Sequence, residues 1–367
     1  MDSTAGISNT RPAERDRPSS SFFINEGVQA EEVKNCLFCK KEGARLYANM
    51  RDRIFDVPGL WGFAACPRCQ FSWLNPRPSA GEIHKSYARY YTHDVVQEES
   101  SFPSLRRMIK FAILSGTFGY GDLASSPVTR LFGRALRFVP FVREKVLSRI
   151  RYLHGSGRGK LLDVGCGNGA FIAHMRGLGW DVLGIEPDAA AARQAREERG
   201  VPVLVGSIED AGLPRGSFDA ITLNHVIEHV PDPVETLGQC ARLLKPSGKL
   251  VVMTPNILSL AHKFFREAWL HLDPPRHLYL FSPRAMHRAL ELAGLNLETC
   301  RTISRRAVTW SGSSWIRRNG RWPRMDVGLL PRRLRAEGQA FRVFENFVQL
   351  FWRSAGDELL MISSKKI

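Results

Sequence analysis

Four side chains have the types that acid–base or metal chemistry needs. His225, Glu228 and His229 fall together in the stretch HVIEHV, and His277 comes later in PPRHLYLF. Imidazole titrates near neutral pH, so His229 or His277 suits a general base that removes a proton from a hydroxyl nucleophile. The same four residues offer a carboxylate and imidazole nitrogens to a divalent cation. Hard ions prefer oxygen, so this nitrogen-rich set favours a softer metal. In a third reading Glu228 and His229 only hold the loop. A second constellation is made of thiols: Cys36-x-x-Cys39 and Cys66-x-x-Cys69, with 26 residues between the pairs. Each pair can grip one side of a tetrahedral zinc while the link forms a hairpin. All four positions would be filled by protein, so the expected zinc is structural.

A third group surrounds a glycine turn. LLDVGCGNGAF (Leu161–Phe171) reads as strand, tight turn and helix, with Gly165, Gly167 and Gly169 at alternating positions. Glycine permits the sharp bend and lets a ligand approach with no Cβ in the way. Gly165, Gly167 and Ala170 also satisfy the dinucleotide pattern G-x-G-x-x-G/A. Asp163 helps to decide between ligands: a pyrophosphate gains nothing from a carboxylate there, whereas the ammonium and sulfonium of S-adenosylmethionine (SAM) both do. Glu186 ends the next strand, 21 residues past Gly165, where a carboxylate can accept both ribose hydroxyls.

These residues need a frame. After the helix Ala170–Leu178, strands are expected at Asp181–Glu186, Val201–Val205, Phe218–Asn224 and Lys249–Thr254. Helices capped by Asp188 and starting at Pro233 lie between them. Strands alternating with helices at this pace predict a parallel, doubly wound α/β sheet. Gly206-Ser-Ile208-Glu209 is a candidate adenine loop. The loop carrying His225, Glu228 and His229 follows the fourth strand. Ser282-Pro283 starts a further helix that Gly294 ends. A strand near Leu297–Ile303 and a final antiparallel strand from Glu358 complete seven.

The ordered motifs LLDVGCGNGAF, GIEP, GSIEDAGLPRGSFDAITLNHVIEHVPDP, RLLKPSGKLVVMTPN and DPPRHLYLFSPRAM resemble those of class I SAM-dependent methyltransferases. More narrowly, the chain is similar to bacterial members with an N-terminal zinc ribbon. The resemblance covers 157–295, and the ribbon extends it back to Cys36. It implies a seven-stranded Rossmann-like sheet and SAM as cofactor. Asp163, Gly165, Gly167, Gly169, Glu186, Pro187, Ile208, Glu209 and Asn224 would line the cofactor site. Ser207 stands where many relatives place an Asp near the adenine amine. Some relatives of the small-RNA and quinone pathways use a Glu-x-x-Glu-His metal motif, and here His225 replaces the first Glu.

The chain has 367 residues and a formal net charge of +16, which points to an anionic partner: membrane surface, phosphorylated substrate or nucleic acid. Its first residues lack the apolar core of a signal peptide, and no apolar run reaches the ~18 residues of a membrane span. The seven cysteines, four in CxxC pairs, fit a reducing compartment. The expected organisation is a disordered tail (1–30), a zinc-ribbon module and linker helix (31–99), a basic amphipathic helical insertion (100–155) and the methyltransferase domain (156–367). Tyr87, Tyr90 and Tyr91 are expected to pack the ribbon onto that domain. Arg276 reads as an anion contact or a solvated side chain. FRVFENFVQLFW (Phe341–Trp352) is apolar at helical spacing and fits core, dimer or interfacial membrane packing. The expected function is O-methylation of a sugar or lipid-linked glycan in the cytoplasm, with peripheral contact at the inner membrane face. RNA methylation is the alternative.

Overall fold

The structure, a computed structural model, describes residues 22–87, 104–123, 127–136, 140–304, 307–322 and 330–366. Residues 1–21, Tyr90 and Tyr91 lie outside these. The first six strands are β1 (Phe22–Asn25), β2 (Val28–Glu31), β3 (Ala44–Met50), β4 (Trp61–Ala65), β5 (Ser72–Leu74) and β6 (Arg77–Pro78). Three helices follow: α1 (Ser104–Thr117), α2 (Pro127–Leu136) and α3 (Pro140–Arg149). Then strands and helices alternate through β7 (Lys160–Val164), α4 (Ala170–Arg176), β8 (Asp181–Glu186), α5 (Ala189–Arg199), β9 (Val203–Val205), β10 (Phe218–Asn224), α6 (Pro233–Leu243) and β11 (Leu244–Pro255). The remainder is α7 (Leu260–Phe265), β12 (Tyr279–Leu280), α8 (Pro283–Leu292), β13 (Leu295–Ile303), α9 (Ala307–Asn319), α10 (Arg332–Val348) and β14 (Glu358–Lys365).

The main sheet has the order β13-β14-β11-β10-β7-β8-β9. Its five central and distal strands are parallel, and β14 runs antiparallel to both β11 and β13. This is the doubly wound α/β sheet expected. β7 and β10 are neighbours, so the glycine turn and the histidine loop leave the same end of the sheet side by side. That end is where open α/β sheets bind ligands. The caps at Asp188 and Ser282 hold as read: Asp188 accepts from the backbone of Ala190 and Ala191, and Ser282 from Ala285; Asp232, accepting from Val234 and Glu235, is a further cap.

One domain boundary differs from expectation. The tail read as 1–30 is ordered from Phe22, because a Glu26-Gly27 turn with positive φ at both residues closes the β1–β2 hairpin, and β2 pairs with β6. The described helices of the 100–155 segment pack on the domain. Ile113, Leu114, Val146, Leu147 and Ile150 are buried in one cluster with Leu161, Ile172 and Met175 beneath the main sheet. Apolar helix faces with no core of their own must be covered, and the sheet covers them.

The cysteine module is likewise built into the larger unit. β3 and β4 form the hairpin expected between the CxxC pairs. The resulting sheet, β12-β5-β4-β3, has its fourth strand supplied by Tyr279–Leu280, directly after His277.

Candidate active site

At the turn after β7 all three glycines have positive φ: Gly165 68°, Gly167 55° and Gly169 74°. Their duties differ. A Cβ on Gly169 would meet Ala195 and Val201 at 2.8 Å, so that glycine serves helix packing. A Cβ on Gly167 would enter open space, which makes this backbone the face a ligand can approach. The Gly167 N–H donates to Glu186 Oε2 at 2.7 Å and the Asp188 N–H donates to Glu186 Oε1 at 3.1 Å. Glu186 is thereby fixed beside the turn. Burial raises its pKa above the ordinary carboxylate range, against those two N–H donors. Pro187 next to it is exposed.

Asp163 is fully buried. Its Oδ1 accepts from Arg151 Nη1 and, at 2.7 Å, from the hydroxyl of Thr222, its cross-strand partner on β10. Burial pushes its pKa up, while Arg151 and Thr222 oppose that rise. The other oxygen, Oδ2, is buried with no hydrogen-bond partner. A buried unpaired carboxylate oxygen costs free energy unless something pairs with it. The open face over Gly167, the fixed Glu186 and this oxygen together fit the cationic, ribose-bearing SAM.

Arg151 escaped the sequence reading because it lies before the first strand, in a stretch assigned to the insertion. Its guanidinium stacks 3.6 Å over the Phe171 ring. In the candidate adenine loop Ile208 is buried and Glu209 Oε1 accepts from Thr236 Oγ1 at 2.7 Å, which ties the loop to α6. Asn224 is half-buried at the end of β10.

The histidine loop is brought together as expected, with His225 set apart in role. One ligand atom each of Glu228, His229 and His277 lies within 4.8 Å of the others. His225 instead has a carboxylate on each ring nitrogen: Glu228 Oε1 at 3.1 Å from Nδ1 and Glu358 Oε1 at 2.9 Å from Nε2. A ring nitrogen that donates to a carboxylate offers no lone pair, so these two contacts set His225 apart from the other imidazoles. Glu228 Oε2 also accepts from Thr254 Oγ1 at 3.0 Å.

The other two imidazoles are oriented by carbonyls, which can only accept. His277 Nδ1 donates to His271 O at 2.7 Å, and His229 Nδ1 donates to Arg276 O at 3.1 Å. In the tautomer with Nδ1 protonated, Nε2 is the acceptor nitrogen of each ring. Burial lowers His277 to about 3 and lowers His229 as well. Burial pushes Glu228 up, but the hydrogen bond and charge of His225 hold it below the ordinary carboxylate range.

Two residues from the N-terminal module complete this site. The Tyr87 hydroxyl lies 2.9 Å from His229 Nδ1. Asp52 takes both Nη atoms of Arg276, at 2.6 and 2.9 Å, while Asp273 holds the same guanidinium from the other side. Arg276 is 1% exposed, so it is neither an anion contact nor solvated as the sequence suggested. Two buried carboxylates make it a clamp on the loop Asp273–His277. Leu278 and Tyr279 N–H groups donate to the Glu228 carbonyl at 2.8 and 3.2 Å, tying that loop to the histidine loop.

The four cysteine sulfurs lie within 4.8 Å of one another. Cys69 N–H donates to Cys66 Sγ at 3.3 Å. This arrangement is compatible with a zinc ribbon.

Comparison with known proteins agrees with this frame. Residues 137–299 match the methyltransferase-domain family. The chain therefore contains a methyltransferase domain, preceded by a four-cysteine module. It is 45% identical over 188 residues to the ubiquinone biosynthesis O-methyltransferase of Xanthomonas oryzae pv. oryzae strain PXO99A, covering 50% of this chain and 66% of that protein. The protein of the same name from Xanthomonas axonopodis pv. citri is 37% identical over 153 residues, covering 40% and 59%. The chain thus spans less than two thirds of the length of these relatives. A SAM-dependent methyltransferase from Archaeoglobus fulgidus superposes with a TM-score of 0.40 at 20% identity, covering 64% of this chain and 98% of that one.

Proposed function

We propose that the protein transfers the methyl group of SAM to a hydroxyl oxygen of a small acceptor, with His229 accepting the hydroxyl proton. The observation that carries this is the pairing of two loops at one sheet end. One has an open glycine backbone between Asp163 and Glu186; the other carries the imidazoles of His229 and His277 close beside Glu228. SAM supplies an activated methyl on a good leaving group, so alignment of the acceptor provides much of the rate. Glu186 would hold the ribose hydroxyls, and Asp163 Oδ2 the methionine ammonium. His229 would take the proton as the oxygen attacks, and Glu228 would stabilise the imidazolium that forms.

The names of the relatives favour an acceptor of the quinone-precursor type, a hydroxylated ring with an apolar tail, over the sugar or lipid-linked glycan expected from the sequence. Metal assistance is the second reading, favoured by the proximity of Glu228, His229 and His277. One carboxylate and two imidazoles are a chemically fitting donor set for a borderline-soft divalent ion. The four-cysteine module would hold a structural zinc through Cys36, Cys39, Cys66 and Cys69.

The test is incubation of the protein with methyl-labelled SAM and a cell extract, followed by separation into lipid, nucleic-acid and soluble fractions. Label in a hydroxylated ring compound of the lipid fraction supports the reading, and label confined to RNA overturns it. Treatment with EDTA and add-back of divalent ions separates the two roles of the histidines.

A further inference from the structure

Helix α10 is apolar on two sides. Its inner side packs on α9: Gly338 comes so close that a Cβ there would meet Ser311 Oγ at 2.2 Å, and Leu334 is buried. The outer side also carries large apolar groups. Val343, Phe344, Phe347, Leu350 and Phe351 are between 51% and 79% exposed. At 100° per residue Val343, Phe344 and Phe347 fall within about one third of the helix circumference, and Leu350 and Phe351 continue the apolar run in the turn past Val348. Taking about 150 Å² or more for each aromatic ring, the stripe presents several hundred Å² of apolar surface. Phe264 of α7, 53% exposed, extends it, with the Arg317 guanidinium 5.0 Å from its ring. Patches of this size are seldom left to water.

Charge selects the occupant. Residues 301–353 contain twelve arginines against three carboxylates, Asp326, Glu337 and Glu345. Arg332, Arg333 and Arg335 are exposed at the start of α10, and Arg353 is exposed just past its end. A second copy binding the same patch would bring a second set of arginines against the first, because a two-fold contact pairs a surface with itself. A nucleic acid would meet the cations but leave the phenylalanines unsatisfied. An anionic lipid surface satisfies both, with rings among the acyl chains and guanidinium groups at the headgroups. No helix among the described residues is long and apolar enough to cross a membrane, so the contact lies in the interface plane.

We infer that the outer face of α10 docks the protein onto anionic bilayers. The inner face of the same helix carries buried Glu345, whose carboxyl is raised by burial and by the charges of Asp357 and Glu358, and Glu358 holds His225. A docked protein thus presents this wall of its site next to the lipid surface. The inference extends the proposed acceptor chemistry, but it is read without turnover and stands or falls separately.

The test is co-sedimentation of the full-length protein with vesicles of phosphatidylcholine alone or with 30% phosphatidylglycerol (a composition of about that fraction suffices). Binding is expected to the anionic vesicles and to weaken with salt. The variant Leu350→Ser/Phe351→Ser should lose about tenfold or more in partitioning. Its thermal midpoint and SAM affinity should stay at wild-type values, which separates lost docking from lost folding. Arg332→Gln/Arg333→Gln should weaken binding and flatten its salt dependence. Equal binding of wild type and the serine variant overturns the inference. So does a wild-type dimer in sedimentation velocity that the serine variant dissolves without any vesicle binding.

Discussion

Replacing Asp52 by Asn should damage a site that lies more than two hundred residues away in sequence. Asp52 accepts the backbone N–H groups of Ile54, Phe55 and Val57 and both Nη atoms of Arg276. The side chains of Asp52 and Arg276 are both 0% exposed. Removing one partner of a buried ion pair costs about 3–5 kcal/mol, since the remaining charge stays buried. Asp273 still faces Arg276, which places the expected loss at the lower end, about 3 kcal/mol. By the scaling for domains of 150–250 residues, that lowers the thermal midpoint by roughly 6–12 °C. The functional effect is selective. The loop Asp273–His277 loses one of its two anchors, and His229 loses the fixed Arg276 carbonyl that sets its tautomer. SAM affinity by calorimetry should hold, because Asp163, Gly167 and Glu186 sit on other strands. Turnover, once an acceptor is in hand, should drop. An Asp52→Asn protein with wild-type midpoint and wild-type turnover would refute the idea that the cysteine module shapes the site.

Glu186→Ala should abolish detectable SAM binding by calorimetry, since it removes the carboxylate fixed between Gly167 and Asp188; retained affinity would displace Glu186 from the ribose role. His229→Ala should leave SAM affinity intact and cut kcat by about 10²–10⁴; unchanged kcat would make His229 structural. Mercurial titration of purified protein should release one zinc per chain and lower its thermal midpoint; four free thiols with no metal would remove the zinc. For His277 the pH dependence has a definite sign. The unfolded ring titrates near 6.5 and the folded one at about 3, so between those values the unfolded chain binds more protons. Its contribution is full above pH 6.5 and is lost as pH falls. The stability advantage of wild type over His277→Gln in urea melts should therefore shrink by about 2–3 kcal/mol from pH 7.5 to 4.5. A constant or growing gap would contradict the buried, neutral ring.

What the sequence revealed was local. The glycine turn, the strand and helix periods, the Asp188 and Ser282 caps and the two CxxC pairs each declare themselves within about a dozen residues. The sheet order came with the family resemblance, since alternation alone does not place β10 beside β7. Long-range polar pairing was not legible. Nothing near Arg276 announces that Asp52 neutralises it, and an arginine in a Pro-Pro loop reads as a surface residue. Arg151 was hidden because its partner Asp163 is contacted through tertiary packing of the segment before β7. The histidine cluster was legible as a set but not as roles. Glu358, which occupies the second nitrogen of His225, comes from the last strand of the sheet. The shared sheet of β12 and β5 was invisible because a two-residue strand has no period to detect.

The central claim is that the pocket walled by Asp163 and Glu186 over Gly167 is built for a cationic adenosyl donor. Calorimetric titration of the purified protein with SAM, S-adenosylhomocysteine and NAD⁺ tests it most directly. The account predicts one SAM site per chain, competition by S-adenosylhomocysteine and no heat from NAD⁺. Saturable NAD⁺ binding with no response to SAM would contradict it.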